Sequence, residues 1–207
     1  MAEAKYFYPN RMGRILLQST EDVSGRGGLL ALLRTANLPQ YINGFPGDNL
    51  DKKFSFENVS SLMESIDRFY GPHNGRNVAM RIGQKTFKRS LYEFGPVTGI
   101  ADLTVRLLPW SVKLMQWATA FSDLYNRLSD QLVVVEDADE HLNWHVDRCP
   151  FCWGRHVNEP RCFVMRGMLE ESLLWLSGGK VYAIEQTASV GSGDPRCTFT
   201  ISKKPMG

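Results

Sequence analysis

The sequence predicts an α+β fold in which N-terminal helices pack on a four-stranded antiparallel sheet, with a β-β-α-β-β C-terminal half. Three observations carry this. Helical spacing of apolar residues dominates up to about residue 128. From Gln131 onward the pattern changes to β-branched and alternating runs. The four strand-like runs have short connections, which favours antiparallel pairing with the helices on one face. No linker, repeat or low-complexity segment divides the 207 residues. The chain reads as one ligand-binding domain, helical over about 10–128 and β-β-α-β-β over about 131–205.

Residues 1–9 read as an extended lead-in ending at Pro9. A helix follows from Asn10, with Met12, Ile15, Leu16 and Ser19 on one face and Gly25 as its stop. Gly27-Gly28 opens a second helix that ends near Asn37, before Pro39. Residues 39–53, rich in Pro, Gly, Asn and Asp, read as a loop. Ser55 is a good N-cap for the clearest helix, whose Val59, Leu62, Met63, Ile66, Phe69 and Tyr70 keep i, i+3, i+4, i+7 spacing. Gly71-Pro72 ends it. The next helix runs from about Arg76 to Phe94, and a short helical turn is expected near Ile100 to Leu107. Pro109 opens a long helix to about Leu128.

Leu132 to Val135 is a strand run, Glu136 to Glu140 a turn, and Leu142 to Arg148 the returning strand. Asn158 or Glu159 with Pro160 is expected to start the last helix. Its inner face is Met165, Met168, Leu169, Ser172, Leu173 and Leu176, and Gly178-Gly179 caps it. Lys180 to Val190 and Arg196 to Lys203 alternate as paired strands.

Composition narrows the function classes. Hydrophobic residues make up 43% and charged residues 22%, enough apolar material for a core without staples. Net charge is +2 with scattered basic residues, which excludes a nucleic-acid partner. No apolar run approaches membrane-spanning length, so no membrane insertion is expected. The N-terminus lacks the apolar core of a signal peptide, and a cytoplasmic location follows. In that reducing compartment a Cys-x-x-Cys pair reads as metal-binding or redox-active rather than as a structural disulfide.

All four cysteines lie between residues 149 and 197: Cys149-Pro150-Phe151-Cys152, Cys162 and Cys197. Cys149 and Cys152 form half of a zinc-ribbon pattern without the second half. Cys162 and Cys197 complete a four-thiolate set if the fold brings them together. His156 offers a Cys3His alternative, and a purely packed thiol core remains the third reading. A thioredoxin-like role is disfavoured, because Trp153-Gly154 followed by Pro160 reads as loop.

His73 lies in a turn, and His141 and His145 flank Trp144 on a strand, where they read as satisfied histidines rather than ligands. The acids from Glu136 to Glu140 read as a solvated turn. No nucleotide cofactor is indicated, because Gly25-x-Gly27-Gly28 follows no strand. No catalytic set is found, so an enzyme is disfavoured. Trp117, Phe121 and Trp144 are core by default, and they are also the residues expected to line a pocket for an apolar ligand.

The C-terminal half resembles the 4-vinyl reductase domain, related in fold to small subunits of the TRAPP trafficking complex. The residues that carry the likeness are Pro160-Arg161-Cys162, Glu170-Glu171, Ser177-Gly178-Gly179-Lys180, Ile184-Glu185-Gln186 and Gly193-Asp194-Pro195-Arg196-Cys197. The resemblance implies a module for a hydrophobic or aromatic small molecule, such as a tetrapyrrole or fatty acyl chain. It also implies two alternatives: an enzyme or accessory protein in tetrapyrrole vinyl reduction, and a homodimeric assembly protein. Sensor members of that family carry a zinc site whose first and last ligands fall here on Cys162 and Cys197. Its middle two fall on Gln186 and Ser189, which supply no negative charge. A zinc cofactor is therefore expected only if Cys149 and Cys152 rebuild the site.

Overall fold

The computed structural model describes residues 4–98 and 108–206. The helical turn expected near Ile100 to Leu107 lies outside the described residues. The N-terminal lead-in forms a strand, β1 (Phe7–Pro9), which runs into helix α1 (Asn10–Thr35). After a loop, β2 (Lys52–Ser55) pairs antiparallel with β1, Phe7 opposite Ser55 and Tyr8 opposite Phe54. The sequence reading made residues up to 53 a loop. The correction has a physical reason: Lys52 and Lys53 carry no strand signal of their own, and the pairing comes from a distant segment.

Helix α2 (Phe56–Thr98) starts where Ser55 predicts, its Oγ accepting the Asn58 N–H at 3.2 Å. Both long helices are broken at the glycines expected to stop them. Gly25 has φ 73° and ψ 167°, and Gly71 has φ 74° and ψ 165°, a conformation that costs a residue with a Cβ. The chain resumes its helix after each break. Helix α3 (Trp110–Leu128) follows Pro109.

The C-terminal half is β3 (Val133–Asp137), β4 (His141–Val146), α4 (Phe163–Ser177), β5 (Tyr182–Ala188) and β6 (Cys197–Pro205). This is the β-β-α-β-β order that the alternating runs predict. The sheet order is β3-β4-β6-β5 with every neighbouring pair antiparallel. Helix α4 begins later than Pro160 suggested. Residues up to Cys162 are held as a loop, in part by the Val157 N–H donating to Gly191 O at 2.8 Å. Gly178, left-handed at φ 73°, ends the helix as expected.

The sheet is two-faced. Leu142, Trp144 and Val146 of β4 stand opposite Ile201, Phe199 and Cys197 of β6, and all six are buried. The alternate residues Asn143, His145, Thr198 and Thr200 are half-buried on the other face. The helices cover the apolar face. Helices α2 and α4 cross backbone to backbone. A Cβ on Gly83 would run into Val164 O, and a Cβ on Gly167 into Met80 O. The acids of the β3–β4 turn pair with lysines of β6, Asp137 with Lys203 and Glu140 with Lys204, both at 2.6 Å.

Candidate functional site

Two features occupy the space between helices and sheet. The first is aromatic. Trp117 and Phe121 project from α3 toward Trp144 on β4, with ring centroids 5.7 Å apart for Trp117–Trp144 and 5.8 Å for Trp117–Phe121. With Phe87, Tyr125, Met165, Met168, Leu169 and Ser172 they line an internal void of about 10 Å³. Beside it an apolar cleft of about 30 Å³ is lined by Tyr8, Met12, Leu16, Phe94, Leu124 and Phe151, among others. Phe121, Tyr125 and Met168 border both, and so form the partition. The sequence named Trp117, Phe121 and Trp144; it missed the rest because they come from separate elements.

Polar groups in this region are poorly matched. The indole Nε1 atoms of Trp117 and Trp144 are buried without a partner among the described residues. Each unmatched donor costs about 1–3 kcal/mol. Nearby, the Tyr8 hydroxyl donates to Gln131 Oε1, while Gln131 Nε2 is unmatched among the described residues. Burial pushes the Tyr8 and Tyr125 hydroxyls well above the ordinary tyrosine pKa, which keeps both neutral.

The second feature is the cysteine cluster. Cys149 and Cys152 lie in the loop after β4, Cys162 is the residue before α4, and Cys197 is the first residue of β6. The register places Cys197 opposite Val146, so the loop leaving β4 passes over it. Successive Sγ atoms are 3.6 Å apart for Cys149–Cys162, 3.8 Å for Cys162–Cys197 and 3.7 Å for Cys197–Cys152. All four thiol sulfurs lie within 4.8 Å of one another and all four residues are buried. His156 is exposed and outside the group.

The loop is clamped from several sides. Arg155 Nη2 meets Asp67 Oδ2 of α2 at 2.6 Å, and the Trp153 indole donates to Glu57 Oε1 at 2.9 Å. Gln186 and Ser189, at the positions where the resembling family has its middle two ligands, lie at the edge of the cluster. Gln186 Oε1 accepts the Cys162 backbone N–H at 2.9 Å, and Ser189 Oγ lies 3.5 Å from Cys152 Sγ. Contacts with Cys149, Cys162, Cys197 and Ser189 hold the Cys152 thiol well below its ordinary pKa. Burial pushes Cys149 well above its own.

His145 is satisfied, as expected. It sits on the outer face of β4 with Thr198 Oγ1 at 3.0 Å and Glu136 Oε2 at 3.1 Å.

The fold has known structural counterparts. A structure from a study of haem distortion in the H-NOX family superimposes with a TM-score of 0.62 at 12% identity, covering 96% of this chain and 97% of that one. An oxygen-binding H-NOX domain related to soluble guanylate cyclases gives 0.58 at 12% identity, covering 92% and 93%. An H-NOX protein from S. oneidensis in its Fe(II)NO state gives 0.57 at 14% identity, covering 93% and 98%. The fold is that of H-NOX domains. No family model and no curated protein matches the chain.

These findings correct two expectations. The likeness to the 4-vinyl reductase and TRAPP families gives way to H-NOX domains, which match along nearly the full chain. The tetrapyrrole-reducing enzyme and the trafficking-type assembly protein rested on that likeness and fall with it. Zinc as the cofactor is corrected as well, since the cofactor named among the neighbours is haem. Short cysteine and glycine motifs in loops do not report the fold of the whole chain.

Among the described residues no histidine is placed inside the fold to ligate a haem iron. That iron needs an axial ligand, most often histidine. His73 and His156 are exposed, and His141 and His145 lie on the outer face of β4. The space between helices and sheet is here filled with aromatic side chains.

Proposed function

We propose that this chain is a binding module for a hydrophobic small molecule that carries a hydrogen-bond acceptor. The observation that supports it is the pair of unmatched indole donors, Trp117 Nε1 and Trp144 Nε1, on residues that line one apolar void. An acceptor entering there would recover part of the cost of both, and apolar burial of the remainder would add about 25 cal/mol per Å². Phe121, Tyr125 and Met168 separate the void from the cleft, so the ligand enters by displacing them. That displacement is the step by which occupancy reaches α3 and α4, as a sensor requires.

Among the described residues no helix is long and apolar enough to cross a membrane. The reading places the module in the cytoplasm, where its cysteines stay reduced.

The test is titration with an anthroyloxy-labelled fatty acid, whose carboxylate is the acceptor. Saturable one-site binding with quenching of tryptophan emission is expected. Non-saturable partitioning, with no adduct by native mass spectrometry, would falsify the reading.

A further inference from the structure

We infer that the groove between α4 and the free edge of β5 receives an extended segment of a partner protein, acidic at its start and apolar at its end, which adds to the sheet as a further strand. β5 ends the order β3-β4-β6-β5, so only its β6 side is paired. Two open depressions run along its other side, and both border Arg166. Between them they touch every residue from Val181 to Gln186. Side chains alternate along a strand, so a groove that meets consecutive residues follows the backbone edge rather than one face. The opposite wall is a stripe of α4 at helical spacing: Phe163, Arg166, Glu170 and Leu174. An edge strand presents N–H and C=O groups that a second strand can pair. Peptides that bind by adding a strand use such an edge, and side-chain pockets give them selectivity.

The edge is open only in part. Register shifts against β6 fall between Tyr182 and Ile184 and between Gln186 and Ala188. Past Gln186 its own amide closes the edge by donating to Ala188 O at 3.2 Å. Regular backbone pairing is thus confined to Ile184–Gln186, and the two ends of the groove supply the selectivity.

Those ends differ in character. Leu174, Val181 and Met206 lie at one end and are 36%, 55% and 59% exposed. Large apolar side chains gathered in water mark a surface that a partner covers. The other end carries Arg76 of α2, Arg161 before α4 and Arg166 within it. Arg161 is held by Glu159 and Arg166 by Glu170, both at 2.9 Å. Arg76 makes no ion pair among the described residues, and its guanidinium lies 5.3 Å from the centre of the Phe163 ring. Glu185 also borders this end. Tyr182 and Ile184 are buried while Ala183 and Glu185 are exposed, so Glu185 turns to the outer face of the sheet.

An acidic side chain of the added strand therefore meets Arg76, and an apolar one meets Val181. The two ends are about 16 Å apart, some five residues of strand. Neighbouring strands of this sheet are all antiparallel. An antiparallel partner then has its acid first and its apolar residues about five positions later. A second copy of β5 has the reverse order, Val181 before Glu185, and would bring its acid to the apolar end. The inference does not depend on what the interior binds.

The test uses the full chain and a fluorescein-labelled octapeptide amide of sequence SEDTVTLL. Saturable one-site binding by fluorescence anisotropy is expected. Lysine in place of the two acids, or serine in place of the two leucines, should weaken binding about tenfold. Arg76→Glu, at an exposed side chain, should weaken the parent peptide about tenfold and strengthen the lysine peptide. N-methylation at alternate positions separates strand pairing from charge. One alternate set should abolish binding and the other should leave it unchanged, because only every second residue turns its N–H toward β5. Equal binding of both N-methyl peptides, equal binding of the acidic and lysine peptides, or no saturable binding overturns the proposal. A doubled mass by light scattering with the peptide excluded gives the edge to a second copy and overturns it too.

Discussion

Gln186 Oε1 accepts the backbone N–H of Cys162 at 2.9 Å, while its Nε2 donates to Ala188 O at 3.2 Å. One side chain thereby joins the end of β5 to the start of α4. Gln186→Ala leaves the Cys162 N–H unpaired at a helix start, and stability should fall by about 1–2 kcal/mol. Gln186→Glu keeps an acceptor and should lose less. Urea midpoints of the two variants check this, and a Gln186→Ala chain as stable as the native one would remove the bond from the account.

The crossing of α2 and α4 makes a second prediction. Gly167 and Gly83 face backbone atoms of the opposite helix, so a methyl group at either forces the helices apart. Gly167→Ala should cost about 2–3 kcal/mol or more, the upper end for overpacking. Gly27 offers the contrast, since its Cβ would meet nothing within 4 Å. Gly27→Ala should be neutral or stabilising by up to about 1 kcal/mol. Chemical denaturation of the two variants measures the difference; equal midpoints would mean that the crossing is loose.

How far the sequence reached follows from the range of each signal. Ser55, Gly25, Gly71 and Gly178 act on their own neighbourhoods, and each does in the structure what its residue type predicts. The inner faces of α4 and β4 follow from periodicity and are buried as read. The pairing of Phe7 with Ser55 was invisible, because neither strand carries an alternating run. The convergence of the cysteines was half visible. Cys149 and Cys152 are neighbours in sequence, but Cys197 joins them only through the β4–β6 register opposite Val146. The unmatched indoles of Trp117 and Trp144 had no sequence signal at all, since their state depends on which atoms the packed core leaves unpaired. The motif likeness misled for the related reason that a few loop residues do not report the whole chain.

For the aromatic void, Trp117→Phe and Trp144→Phe separate binding from stability. Each removes an unmatched donor, which offsets part of the packing loss. The free chain should therefore lose less than the roughly 3–5 kcal/mol of a Trp→Ala change. Affinity for the labelled fatty acid should fall about tenfold per variant, one hydrogen bond of about 1.4 kcal/mol. Unchanged affinity in both variants, with saturable binding retained, would place the acceptor elsewhere in the cleft.

Tyr8 and Tyr125 give the interior an alkaline limit. Burial raises both hydroxyls above their ordinary value of 10.0; at Tyr8 the neighbouring Tyr125, Cys149 and Cys162 add to it. The folded state thus holds two protons that the unfolded state releases near pH 10. Their stabilising effect is complete below about pH 10 and declines as pH rises toward the folded-state values. Each tyrosine adds a slope of up to about 1.4 kcal/mol per pH unit over that window. Tyr125→Phe removes one of the two, so its unfolding free energy should fall less steeply between about pH 10 and pH 11. Urea denaturation at several alkaline pH values gives both slopes. Parallel lines for the native chain and Tyr125→Phe would show that Tyr125 ionises alike in both states.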